Sequence, residues 1–125
     1  MRKIAGPRER LQLAIRLGVP TGPDDEESRL LYELDAFVGS SPAFRVLSSS
    51  FFDRQVALYQ QVLDAGAASG AFSLAAPADA LARGLVAMED GLGLQVVVGH
   101  PGLDNSEAER ILLAHASAMT ATDLE

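Results

Sequence analysis

The chain has 125 residues, 48% of them hydrophobic and 22% charged, which suits one globular domain with a real core and excludes a disordered chain. It has no cysteine, so disulfides, thiolate metal sites and thiol catalysis are excluded together. The formal net charge is −7 and the basic residues are scattered singly after Arg2, Lys3, Arg8 and Arg10; phosphate binding needs clustered Lys and Arg, so this chain alone is not expected to bind DNA well.

No apolar run reaches the roughly 20 residues that span a bilayer. The longest, Leu94 to Gly99, is interrupted by Gln95 and stops at His100-Pro101. The opening MRKIAGPRER has no apolar core, so it is not a signal peptide, and the expected location is cytoplasmic with no membrane partner. There is no alternating strand pattern and no repeat. Five helical segments are predicted instead.

The first runs from Pro7 to about Leu17, with proline at the first helical position and Gly18 closing the end. A turn-rich stretch, Gly18 to Pro23, follows. The second starts near Asp24, where Asp25, Glu26 and Glu27 complement the positive end of the macrodipole and Asp24 and Glu27 have capping-box spacing. Leu30, Leu31, Leu34, Phe37 and Val38 form its apolar face.

The third, about Pro42 to Ala68, carries two adjacent stripes. Phe44, Leu47, Phe51, Leu58 and Val62 make one; Phe52, Val56, Tyr59 and Leu63 make the other. Together they cover more than one face, which predicts a helix surrounded by others. Gly70 is placed to take the left-handed cap conformation, and Phe72 to fold back onto the bundle. The fourth runs from Pro77 to about Gly99. Ser106 and Glu109 have capping-box spacing and open the fifth, which continues to about Ala121. The connections are short enough for antiparallel packing.

The fourth helix separates into two apolar sides. Leu81, Leu85, Met88, Leu92 and Val96 form a stripe of large residues. Ala80, Gly84, Ala87, Gly91 and Val98 form a stripe of small ones, roughly 110° away at 100° per residue. Glycines inside a helix cost about 1 kcal/mol each against alanine, a loss that close approach of another helix offsets. The large stripe is expected to face the domain's own core and the small one a partner helix, from a second subunit or from this chain. The fifth helix favours the second subunit. Ala108, Ile111, Leu112, His115, Ala116, Ala118 and Met119 cover an arc of roughly 160°, wide for a terminal helix. Pairing the last two helices with their symmetry mates would bury both arcs in a four-helix interface. The expected interface residues are Ala80, Gly84, Ala87, Gly91, Val98, Ile111, Leu112, His115, Ala118 and Met119.

The segments PRERLQLAIRLG, LDAGAASGAF (Leu63 to Phe72) and PADALARGLVAMEDGLGLQVVVG (Pro77 to Gly99, with its Asp90-Gly91-Leu92 step) resemble, in order and spacing, the C-terminal domain of TetR-family transcriptional regulators of the BetI-like type. The resemblance covers essentially the whole chain, 1–125, as one domain. It implies an all-α fold, an effector pocket inside the domain, a homodimer through the last two helices, and repression relieved by a small molecule. The family's N-terminal helix-turn-helix is missing, so operator DNA would be met only through a part not present here. Leu17 to Gly22 has a superficial likeness to the turn of such a motif. The Pro23-Asp24-Asp25-Glu26-Glu27 that follows is acidic where a recognition helix must meet phosphates.

Candidate residues for lining an effector pocket are Tyr32, Phe37, Phe44, Phe51, Phe52, Tyr59 and Met88, with Gln55 and Glu89 among the polar groups that would orient a ligand. The apolar lining suggests a hydrophobic or amphipathic effector; Glu89, beside the large stripe, could also face a cationic or hydroxyl-bearing one. Packing into a filled core is the competing role for each aromatic. His115 is read as a hydrogen-bonded interface histidine and His100 as part of a helix end.

No catalytic residue, metal site or cofactor is expected. Two histidines and no Glu-x-x-His pair exclude a ferritin-like dimetal centre. There is no G-x-S-x-G, P-loop or GxGxxG, and Ser48-Ser49-Ser50 has no nearby base. Besides the regulator domain, two alternatives stay open. One is a stand-alone small-molecule-binding module without DNA binding; the other is a structural dimerisation module with a filled core.

Overall fold

The computed structural model of the chain describes residues 5–37 and 41–125, apart from the side chains of Asp35 and Phe37. Val38 and the Phe37 side chain, both expected on an apolar face, lie outside the described residues. Five helices follow in order, α1 (Pro7–Gly18), α2 (Glu26–Phe37), α3 (Pro42–Ser69), α4 (Ala78–Val97) and α5 (Asn105–Thr120), with no strand among the described residues. The architecture is all-α.

Local chemistry sets the boundaries. Proline stands in the first turn of both α1 and α3. Helix α2 is capped by Asp25 rather than Asp24: its carboxylate accepts from the Ser28 amide at 3.1 Å and the Thr21 amide at 3.0 Å. Those two amides, Thr21's first, hold the Asp25 carboxyl below its usual range. Likewise Asp104, not Ser106, caps α5, accepting from the Glu107 amide at 2.9 Å. Gly70 ends α3 with φ of 81°, and Phe72 turns back so that its amide bonds the Gly66 carbonyl at 3.0 Å and its ring is buried.

The core lies where α1, α3, α4 and α5 meet. Leu11 and Ile15 of α1, Tyr59 and Leu63 of α3, Leu85 and Val96 of α4, and Leu112 and Ala116 of α5 are all buried in one cluster. The fully buried residues of α3 all lie in its second half, with Phe52 packed against the cluster just before them. In its first half Val46 is 68% exposed and Leu47 65%, so α3 is not surrounded along its length. The reason is α2, whose Leu30, Leu31 and Leu34 stay exposed and which packs chiefly on α4.

The C-terminal segment returns to the beginning of the chain. Leu124 is fully buried; Gln12 Nε2 donates to its carbonyl at 2.9 Å, and Arg8 Nε donates to the Asp123 carbonyl at 2.7 Å. Asn105 Nδ2 donates to the Pro20 carbonyl at 2.8 Å, tying the α1–α2 connection to the start of α5. Together these contacts fix α1 and its outgoing loop, and α1 is one wall of the site described next.

Candidate functional site

A cleft of about 360 Å³ opens between the end of α1, the α2 helix, the middle of α3 and α4. Each helix supplies one face for a geometric reason. On α4, Val86, Glu89 and Gly93 fall on one side at helical spacing, centred about 130° from the side that carries Met88. On α3, Phe51, Phe52, Gln55 and Leu58 line the cleft where the helix emerges from the core. Leu31 and Tyr32 of α2 close the opposite side. The two phenylalanines meet edge to face, ring centroids 6.1 Å apart.

The chemistry centres on Glu89. Tyr59, 1% exposed and directly behind the cleft, donates its hydroxyl to Glu89 Oε2 at 2.5 Å and lies 3.4 Å from the Ala14 carbonyl. Burial pushes the Glu89 carboxyl up to about 7; the Asp90 charge adds to this and the Tyr59 hydrogen bond opposes it. Burial first, then the Glu89 charge, raises the Tyr59 hydroxyl above its ordinary range, so it remains a donor. None of the described residues lining the cleft is basic. Arg16 pairs with Glu109 and Arg110 with Glu107, both away from the cleft.

Position 18 matters as much as position 89. A β-carbon there would collide with the Glu89 carboxylate, so glycine is what lets the last turn of α1 close over that carboxylate. This turn presents the negative end of the α1 macrodipole, which disfavours a second negative charge beside it. Among the described residues the site is thus acidic, apolar-walled and without a cation of its own.

Of the residues singled out from the sequence, Tyr32, Phe51, Phe52, Gln55 and Glu89 come together in the cleft, with Tyr59 supporting Glu89 from the core. Phe44 lines neither this cleft nor the groove described below, because it stands two turns before Phe51, about 10 Å along the helix axis. Met88 points into a different space, a groove of about 130 Å³ between α4 and α5. Gly18, Val86 and Asp90 were missed. A signal existed for Val86 alone, the run Val86, Glu89, Gly93 at i, i+3, i+7, a further side of α4 with one acid in it.

The small stripe of α4 is open to solvent. Ala80, Gly84, Ala87, Gly91 and Val98 are all exposed, Val98 to 68%, and β-carbons added at Gly84 and Gly91 would meet nothing within 4 Å. On α5, His115, Ala118 and Met119 are exposed and Ile111 partly so. Leu112 does not belong with them: it is 1% exposed in the subunit's own core, one residue and so about 100° away from Ile111. The α4–α5 groove, lined by Ala80, Gly84, His115 and Met119 among others, joins the two exposed strips into one surface. No group of three or more His, Asp or Glu side chains that could hold a metal occurs among the described residues, and no helix there is long and apolar enough to cross a membrane.

The family model of BetI-type transcriptional repressor C-terminal domains matches residues 7–121. A crystal structure of a protein assigned as a transcriptional regulator from Saccharomonospora viridis, in complex with choline, superposes with a TM-score of 0.80 at 31% identity, covering 88% of this chain and 57% of that one. The chain therefore spans little more than half the length of that protein. No curated protein matches it.

Proposed function

Since the chain belongs to the family of BetI-type transcriptional repressor C-terminal domains, we propose that it is the effector-binding and dimerisation domain of a TetR-type regulator whose ligand is a small organic cation. One observation carries the reading: Glu89 stands partly buried in an aromatic-walled cleft whose lining, among the described residues, contains no basic side chain. A buried carboxylate without a countercharge is unfavourable, and a cationic guest removes the penalty while the faces of Tyr32, Phe51 and Phe52 attract its positive charge. The similar protein from Saccharomonospora viridis binds choline, which supports this class of ligand here. A cation with a small apolar shell also meets the apolar lining on which an amphipathic effector was expected.

Dimerisation is the second part of the proposal. The exposed small stripe of α4 and the exposed arc of α5 form one surface, and the two glycines there would let a partner's helix approach closely. Binding, rather than catalysis, is the role of the site. In a full-length regulator, cation binding would relieve repression at operator DNA met through another domain.

Thermal denaturation with choline chloride against sodium chloride tests the effector reading. A ligand at 100 times its dissociation constant adds about 2.7 kcal/mol, a rise of several degrees for a domain of this size. No rise with choline up to tens of millimolar would leave the structural dimerisation module as the better account.

A further inference from the structure

We infer that Glu89 carries a proton in the empty cleft and releases it to solvent when the cation arrives, so that effector binding is an exchange of one proton for one organic cation. The inference rests on the effector reading above and adds to it the protonation state that the cation replaces.

The geometry around Tyr59 supplies the first reason. Its hydroxyl faces two acceptors, Glu89 Oε2 at 2.5 Å and the Ala14 carbonyl at 3.4 Å, and has one proton to give. With the carboxylate ionised only one of these contacts is a hydrogen bond. With a proton on Glu89, the carboxylic acid donates to the Tyr59 oxygen, and the Tyr59 hydroxyl is free to donate to Ala14. The protonated site satisfies both contacts.

The surroundings supply the second. From α1 Glu89 faces the helix C-terminal turn at Gly18 and Ala14, which carries partial negative charge. From α2 it shares the cleft with Glu27 and the neutral Tyr32; from α3 with Gln55 and the neutral Tyr59; on α4 its neighbour is Asp90. Among the described residues that line the cleft none is a base, so none offers a compensating positive charge. Burial, with the Asp90 charge added, pushes the Glu89 carboxyl up to about 7, which sets the exchange in the range where small changes of pH alter occupancy. When a quaternary ammonium enters, the carboxylate becomes its countercharge and Tyr59 donates to the ionised oxygen.

Calorimetric titration with choline, whose nitrogen cannot itself titrate, reads the exchange directly. At pH 6, runs in phosphate and in a buffer of large ionisation enthalpy should report close to one proton released per choline bound. From pH 8 to pH 6 the affinity should fall about tenfold, the linkage expected for a free-state value near 7. The Glu89→Gln protein, which keeps an acceptor for Tyr59, should bind choline more weakly at pH 8 and lose the pH dependence. Binding that is flat from pH 6 to pH 8 with no proton release overturns the exchange and leaves the effector reading intact. Absence of choline binding at every pH overturns both. PH dependence that survives in Glu89→Gln assigns the proton to another group and overturns the role of Glu89.

Discussion

The hydroxyl of Tyr32 on α2 occupies the space that a β-carbon at Gly93 on α4 would need. From there it donates to the Asp90 carbonyl at 3.1 Å. This contact ties α2, whose Leu30, Leu31 and Leu34 are exposed, to α4 at one wall of the cleft. Gly93→Ala should therefore displace Tyr32 and loosen α2. The gain in helix propensity, about 1 kcal/mol, and the lost hydrogen bond, roughly 0.5–1.5 kcal/mol, nearly cancel in global stability. Amide exchange of Ser28 to Leu34 should accelerate severalfold while the urea midpoint hardly moves. Unchanged exchange in α2 would mean that Tyr32 does not secure it.

Glu89 should make stability depend on pH in an uncommon direction for a carboxylate. Its folded-state value, about 7, lies above the 4.5 of the free side chain. Between those values the folded protein binds more protons than the unfolded chain, so stability is greatest below pH 4.5, falls as pH rises to 7, and levels off above. The loss is of the order of 3 kcal/mol from this group alone. Glu89→Gln should unfold at higher urea than the parent at pH 8, with the difference disappearing near pH 4.5. An equal difference at both pH values would contradict the buried, proton-holding carboxylate.

The exposed face of α4 offers a clean test of assembly, because side chains at positions 84 and 91 have room in the single subunit. Gly84→Glu and Gly91→Glu should each leave helicity intact, and by propensity raise subunit stability by a few tenths of a kcal/mol or more. Each should also place like charges opposite one another across a two-fold. Sedimentation at micromolar concentration should show the parent as a dimer and the double variant as a monomer. A monomeric parent would remove the proposed interface.

Ala121 ends α5 with φ of 54° and is the one non-glycine residue with positive φ among those described. The left-handed conformation costs an L-residue roughly 1–2 kcal/mol. Its amide still bonds the Ser117 carbonyl, so glycine can take the same cap. Ala121→Gly is expected to stabilise by up to about 1 kcal/mol, less than the full relief because glycine also gains freedom in the unfolded chain. Chemical denaturation measures it, and a net loss would show that the alanine methyl contributes packing here.

The punctuation of the helices was legible in the sequence where one residue type could do the work. Pro7, Pro42 and Gly70 mark ends that stand where composition placed them. Caps were misread where two acceptors compete within a short distance: Asp25 over Asp24, Asp104 over Ser106, each decided by which backbone lets the carboxylate reach the amide three residues on. Periodicity found the large and small sides of α4 and so the open face. It could not tell that Met88 and Glu89, adjacent in sequence, look into different spaces, because that depends on where α1 crosses. Nor could it show that the Phe44 end of α3 extends past the core, since the stripe itself continues unbroken along the helix. Leu112 shared an apolar arc with Ile111, and only the position of α1 and α3 assigns it inward.

The fastening of the last residues to the first helix has a consequence for biosynthesis. Translation runs from the amino end, and the carbonyls that receive Arg8 and Gln12 belong to residues more than a hundred positions later. Leu11 and Ile15 thus leave the ribosome long before the segment that seals them, at 5–20 residues per second. For several seconds the nascent helix displays its greasiest edge to whatever is nearby, and the bundle closes only once Asp123 and Leu124 have been made.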